Sequence, residues 1–414
     1  MSGGDASART APQWRSRNST STVLGAALIS GICGYLALIL AARTLSPADN
    51  AEFLVYWGAV FALYGVLIGI TTETTRAVAT TATTPARATG ATRLVPVAIG
   101  LGLVLVAVVV SSGLVWGPPV LGPDWLPLLA AIALGGTLFT GHAAVAGVAS
   151  GRGVWSGYSL LVAGENASRL ALLVVVAVGA ASVIGFAVAS AVASGFWLLA
   201  AMSSRRYRDL WRQRVDVEVR GLVRRLVASC SAAGVSALLL VGYPVLLRVT
   251  TPDDVFAGAA PLALAVSLCR APLLVPLGAY QNVVVSRVAV HGARALVPVL
   301  VVLGAVTALG AMVAWHLGPW ALRLVNPDYH VDGRVFAGLV LGAGLVAVLT
   351  VTGAAAVGLD HHTVYLAGWI AATVTTIGVL LFPGTLEGRV VTSLLVGPAA
   401  GVVVHLVWGR QRIR

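Results

Sequence analysis

Apolar stretches of about 20 residues recur along the whole chain, and each is long enough to cross a bilayer as a helix. Twelve are present. They lie at roughly 20–42, 53–72, 94–116, 126–149, 155–179 and 181–202 in the first half, and at roughly 226–247, 256–279, 295–317, 335–357, 364–382 and 390–408 in the second. Inside hydrocarbon a backbone must satisfy its own N–H and C=O groups, which predicts an all-α polytopic membrane protein. The composition, 58% hydrophobic and 10% charged with a mean hydropathy of +0.92, leaves more apolar surface than a water-soluble fold can hide. Soluble enzymes, nucleic-acid binders and secreted disulfide scaffolds are excluded on that ground. Cys33, Cys230 and Cys269 fall inside apolar stretches without metal-ligand or disulfide spacing and read as small core residues. No cofactor or metal is expected.

All 27 basic residues are arginine, set against 15 acidic ones. Lysine is absent while Ala, Val and Gly abound, which points to a GC-rich bacterial genome. An even number of spans puts both termini on one side. With that count, twenty arginines gather on the terminal side, whereas the other side holds Arg43, Arg248, Arg323, Arg334 and Arg389. Positive charge marks the cytoplasmic face, so both termini are expected in the cytoplasm of a bacterial inner membrane. The first span lacks a small-residue cleavage site and is read as an anchor. The expected division is a disordered tail over 1–18, a six-helix bundle over 19–202, a basic linker over 203–225 and a second six-helix bundle over 226–414. Eight arginines in that linker suit an interfacial segment on anionic headgroups, or a docking site for a partner.

The two halves look like copies of one unit. Gly34-Tyr35 in the first span recurs as Gly242-Tyr243 in the seventh; Pro47 beside Asp49 recurs as Pro252 beside Asp254; Pro123-Asp124-Trp125 recurs as Pro327-Asp328-Tyr329. Six spans per copy give both copies the same orientation, a parallel repeat with a cleft between two similar bundles. Such a pair can rock about a site near the midplane.

The stretch from Gly34 through Ala42, Arg43, Thr44, Leu45, Ser46 and Pro47 to Glu52 and Phe53 resembles the opening of the polysaccharide flippases of the multidrug/oligosaccharidyl-lipid/polysaccharide exporter superfamily. Pro252-Asp253-Asp254 through Ser286-Arg287 resembles their seventh-to-ninth helix region, and Asn326-Pro327-Asp328-Tyr329 their loop before helix ten. Twelve spans fit the O-antigen and teichuronic-acid types better than the fourteen-span lipid II flippases. The resemblance implies a non-enzymatic flippase. It would carry a polyprenyl-diphosphate-linked oligosaccharide to the outer leaflet, beside polysaccharide polymerases or glycosyltransferases as partners.

Ionisable residues inside spans cost about 2.5–3.5 kcal/mol for Arg at the bilayer centre, so they are expected to face the cleft or one another. Arg270 lies in the eighth span among Pro261, Pro272 and Pro276. There it either binds a diphosphate in bidentate fashion or snorkels to the headgroups. Glu165 and Arg169 share one face of the fifth span. They are either a structural pair, or a proton-coupling acid beside an arginine that attracts the substrate, with Asn166 free to bond a sugar or a helix. Glu73 and Arg76 close the second span as a cytoplasmic gate or a solvated helix end. His142, His316 and His405 read as core or interfacial residues, and Asp360-His361-His362 is weak metal spacing. Gly65-x-x-x-Gly69 permits close packing but is a pattern that 47 glycines produce by chance. The sequons at Asn18 and Asn166 lie on the inner side or in the membrane.

Two other functions suit the same chain. One is an ion-coupled drug exporter of that superfamily, against which stands the lack of any acid between Val23 and Leu40. The other is a membrane glycosyltransferase using Asp49 and Glu52, against which stand the short loops and the recurrence of acids at Asp253 and Asp254.

Overall fold

The computed structural model describes residues 17–83, 92–270, 273, 288, 293–359 and 361–411. Most of the tail expected to be disordered, up to residue 16, lies outside the described residues. Eleven helices among those described are long and apolar enough to cross a membrane, and the protein is a multi-pass membrane protein. The first copy comprises α1 (Arg17–Thr44), α2 (Pro47–Thr83), β1 (Thr92–Arg93), α3 (Leu94–Leu121), α4 (Trp125–Gly151), α5 (Trp155–Ala180), α6 (Val183–Ala193) and α7 (Phe196–Ser203). A connecting segment holds α8 (Arg205–Leu210) and β2 (Arg214–Val215). The second copy comprises α9 (Val219–Leu240), α10 (Tyr243–Val249), α11 (Asp253–Phe256), α12 (Ala260–Arg270), a 3-10 turn (Ala293–Leu296), α13 (Val297–Val325), α14 (Gly333–Gly358), α15 (His362–Leu380) and α16 (Leu386–Gln411). The remainder of the expected eighth span, beyond Arg270, lies almost wholly outside the described residues.

Local chemistry explains where the elements depart from the expected spans. α2 runs on well past Thr72 through a threonine-rich stretch, in which Thr72, Thr74, Thr80 and Thr81 return their hydroxyls to carbonyls four residues back. Those bonds satisfy the hydroxyls within the helix, so the threonines need no partner outside it. The seventh span breaks instead. Pro244 has no N–H to offer Leu240, so α9 stops and α10 restarts from Gly242. The first copy has Leu36 at the matching place, and α1 is continuous.

Burial follows the repeat. The fourth span of each copy is the most enclosed, 72% for α4 and 83% for α14, whereas α3 and α13 turn mostly outward. Without water to drive association, these helices pack through small residues. The sharpest instance joins the copies: a Cβ on Gly65 would stand 2.5 Å from that of Ala237, and one on Gly69 2.5 Å from the Cys230 backbone. The Gly65-x-x-x-Gly69 pattern is therefore the seam between α2 and α9.

The basic segment is folded onto the first copy. β2 pairs antiparallel with β1, Thr92 opposite Val215. The Thr92 hydroxyl donates to the Val217 carbonyl at 2.6 Å, and Arg152 Nε to Gln213 Oε1 at 2.6 Å. Arg205, Arg206, Arg208 and Arg212 stay exposed above buried Tyr207 and Leu210. This surface marks the Arg-rich end of the molecule.

Candidate functional site

At the opposite end the two copies clasp each other. Arg43, in the last turn of α1, donates to the Leu324 carbonyl at 2.7 Å and the Val325 carbonyl at 3.2 Å, closing α13. Asn326, just past α13, donates to the Ala42 carbonyl of α1 at 2.8 Å. Each helix thus caps the unsatisfied terminal carbonyls of the other. Fully buried Asn50 adds a bond to the Tyr329 hydroxyl at 2.8 Å.

In the first copy Glu165, Asn166 and Arg169 form one cluster. Arg169 Nη2 donates to Glu165 Oε1, and Nη1 to Asn166 Oδ1 at 2.9 Å. The guanidinium lies 5.0 Å from the Phe61 ring and 5.9 Å from that of Tyr64. The Tyr64 hydroxyl meets Ser194 Oγ at 2.8 Å, and Tyr64 stacks on Phe139, which stacks on buried His142. The fifth-span charges are thereby held as a buried ion pair with an aromatic wall, away from water on every side that the described residues show.

Arg270, at the end of described α12, is treated differently. It is only 5% exposed, yet no ion pair reaches it among the described residues. Nη1 donates to the Leu239 carbonyl at 3.0 Å, one of the carbonyls freed by the break between α9 and α10. The guanidinium lies over the Tyr243 ring at 4.6 Å. Nε and Nη2 have no hydrogen-bond partner among the described residues. A cation held on one carbonyl and one aromatic face, with two donors unspent, is equipped to receive an anion.

Glu73 and Arg76 stand apart from both, at the Arg-rich end of α2. Arg76 donates Nε and Nη2 to the two Glu73 oxygens at 2.8 and 2.7 Å, with the acid buried and the base half exposed. Asp49 is exposed; Glu52 faces Arg248 across a cavity of about 250 Å³, and Arg248 pairs with Asp253. His405 is held by Thr352 at 2.9 Å, and Asp360 lies outside the described residues. Tyr35 and Tyr243 stand out in the sequence only as repeat markers, and their contacts are not legible there. Tyr35 donates to the Leu268 carbonyl at 2.7 Å, so both tyrosines grip the same stretch of α12. The usable signal was a phenol deep in an apolar span, which needs a partner.

No family model matches the chain. The uncharacterized protein Rv1510 of Mycobacterium tuberculosis (strain ATCC 25618 / H37Rv) is 36% identical over 395 residues, covering 94% of this chain and 91% of its own. The uncharacterized protein Rv3630 of the same strain is 34% identical over 396 residues with the same coverage. Among solved structures, a multidrug resistance MATE family transporter of the MOP superfamily in its inward-facing conformation superposes with a TM-score of 0.69 at 14% identity, covering 95% of this chain and 98% of that one. The outward-facing conformation gives 0.66 at 16% identity, covering 97% of each. A MOP superfamily transporter from Pyrococcus furiosus, whose binding pocket of reverse polarity suggests a different function, gives 0.62 at 15% identity, covering 95% of each. The chain belongs to one family with the mycobacterial proteins Rv1510 and Rv3630, and its fold is that of the MOP superfamily, two repeats about a central cleft.

Proposed function

We propose that the protein is a flippase, which carries an anionic lipid-linked saccharide from the inner to the outer leaflet by alternating access. A polyprenyl-diphosphate oligosaccharide of the cell envelope is the cargo class that fits. The observation that carries this reading is Arg270, buried with Nε and Nη2 unspent among the described residues. A diphosphate fills two parallel donors, and in low dielectric such charge-assisted bonds are the strong ones. The Arg-rich end, with both termini, is the cytoplasmic face on this reading, and its arginines draw the anion in. An inside-negative potential opposes the outward step by about 2.3 kcal/mol per charge per 100 mV, so the cycle needs coupling to an ion or to consumption of the product outside. Residues 1–18 serve as a cytoplasmic tail, the halves as rocking bundles, and Glu73 with Arg76 as a contact at the cytoplasmic mouth. Envelope polymerases or glycosyltransferases are the expected partners.

The MATE likeness favours a second reading, a drug exporter. Such a protein needs an acid free to take a cation, and Glu165 is committed to Arg169. Depletion in the native host separates the two. One complete glycolipid accumulating on the inner leaflet supports the flippase. Unchanged glycolipids with heightened drug sensitivity support the exporter, and a sugar missing from the lipid returns an enzyme to consideration.

A further inference from the structure

A cavity of about 590 Å³ lies between α1, α12, α13 and α14, in the half of the molecule away from the Arg-rich end. Its volume falls within the range of roughly 300–1,000 Å³ usual for small-molecule sites. The walls include Tyr35, Leu268, Cys269, Val313, Leu317 and Phe336, and the rest of the lining is equally apolar. The one hydroxyl in the wall, that of Tyr35, is spent on the Leu268 carbonyl at 2.7 Å. A space so lined offers water no partners and suits hydrocarbon. Val313 and Leu317 are 47% and 55% exposed while also lining the cavity, so it opens along the flank of α13, the least enclosed of the spanning helices. Leu268 and Cys269, in its wall, immediately precede Arg270 in α12.

From this juxtaposition we infer that the cavity binds the hydrocarbon chain of an amphipathic anion whose phosphate lies at Arg270. The inference rests on the proposed function for the identity of the anion. α12 then separates the two parts of the ligand. Arg270 does not itself line the cavity, so the chain enters sideways past α13 and passes round α12 to bring the charged head to the guanidinium. Tyr35 holds the wall by its bond to Leu268, and therefore fixes how far the two subsites stand apart.

The test is photolabelling of the purified full chain with three probes, each carrying a diazirine in its chain. They are a polyprenyl phosphate, the uncharged polyprenol of equal length and a diacyl phosphatidylcholine. Labelling of α13 and α14 lining peptides by the phosphate should exceed that by the alcohol roughly tenfold, the worth of a charge-assisted bond. Ala314→Phe, which fills the space, should abolish it. Gly310→Leu is the second filling variant, because a Cβ there meets only Val340 at 3.4 Å. Arg270→Ala should bring the phosphate down to the level of the alcohol. Equal labelling by phosphatidylcholine overturns the inference in favour of ordinary bilayer lipid, and so does labelling that both filling variants leave intact. Occupancy is read without transport. A labelled cavity in a protein that moves no glycolipid would sink the proposed function alone, and flipping without labelling would sink this inference alone.

Discussion

Arg169 and Arg270 are the same costly group buried to the same degree, one in each half, and the protein handles them in opposite ways. Arg169 is neutralised where it stands, by Glu165 one turn away, with Asn166 and two aromatic faces beside it. Arg270 keeps its charge, resting on one carbonyl and one tyrosine ring. The first arrangement carries its own counter-charge, and only Nε of Arg169 is left without a partner among the described residues. The second is incomplete, and it sits beside a helix break. A buried charge without a counter-charge is destabilising on its own account, so its retention, with no ion pair among the described residues, argues for a ligand that completes it.

The largest effect expected from breaking this contrast falls on the first half. Glu165→Gln strands Arg169 and should cost about 3–5 kcal/mol, read as a large drop in melting temperature in detergent. The double variant Glu165→Leu with Arg169→Met should recover most of it, since removing both charges leaves nothing unpaired. If the single and double variants melt alike, the pair is not what holds that bundle. In the second half the sign reverses. Arg270→Met should melt no lower than the parent, while glycolipid export falls roughly tenfold or more, the value of a lost charge-assisted bond of about 1.5–3 kcal/mol. Arg270→Lys keeps the charge but loses the planar fork and should fall between. Export unchanged in Arg270→Met at normal protein level would remove its assigned role.

How much of this was legible beforehand differs by level. The spans and the repeat were, because apolar runs of a fixed length and recurring loop residues are direct consequences of the bilayer. The sequence also isolated Glu165, Arg169 and Arg270, since any charge inside a span is conspicuous. It left open whether Glu165 and Arg169 satisfy each other, and spacing along one helix cannot show that two donors of Arg270 go without a partner among the described residues. The missed residues, Tyr35, Tyr64, Ser194 and Tyr243, act through contacts 25 to 233 residues away in sequence, between helices whose packing no local pattern specifies. The break in the seventh span was readable from Pro244 following Gly242, and the longer second helix was hidden by threonines that satisfy themselves.

The clasp between the copies gives a smaller, conformational effect. Asn326→Ala leaves the buried Ala42 carbonyl without its donor, and Arg43→Ala frees the end of α13. Each should shift the balance toward separation at that end by about 1–2 kcal/mol, roughly five- to thirtyfold in population. Spin labels on the α1–α2 and α13–α14 loops would report the change as a longer distance component. Burial raises the Tyr329 phenol above its ordinary value of about 10, against a smaller opposing effect of the Asn50 bond. The neutral phenol is therefore the folded form, its contribution intact below about pH 10 and lost only as pH rises through the raised value. The distance distribution should be flat across the neutral range, and a shift there would place the sensitive group elsewhere.

The smallest effect belongs to a third arginine, and it tests whether water alone distinguishes the cases. Arg76 meets Glu73 with both donors, a better geometry than most surface pairs, but its side chain is 49% exposed. Arg76→Gln keeps one donor for the acid and should cost no more than about 1 kcal/mol. The cost should also shrink in 1 M salt, where charges are screened within about 3 Å, whereas the Glu165 variants should respond little to salt. A penalty for Arg76→Gln as large as that for Glu165→Gln, and equally deaf to salt, would mean that water is excluded at the Arg-rich end. Glu73 and Arg76 would then belong to a sealed contact between the bundles, and the open mouth that the flippase reading requires there would be gone.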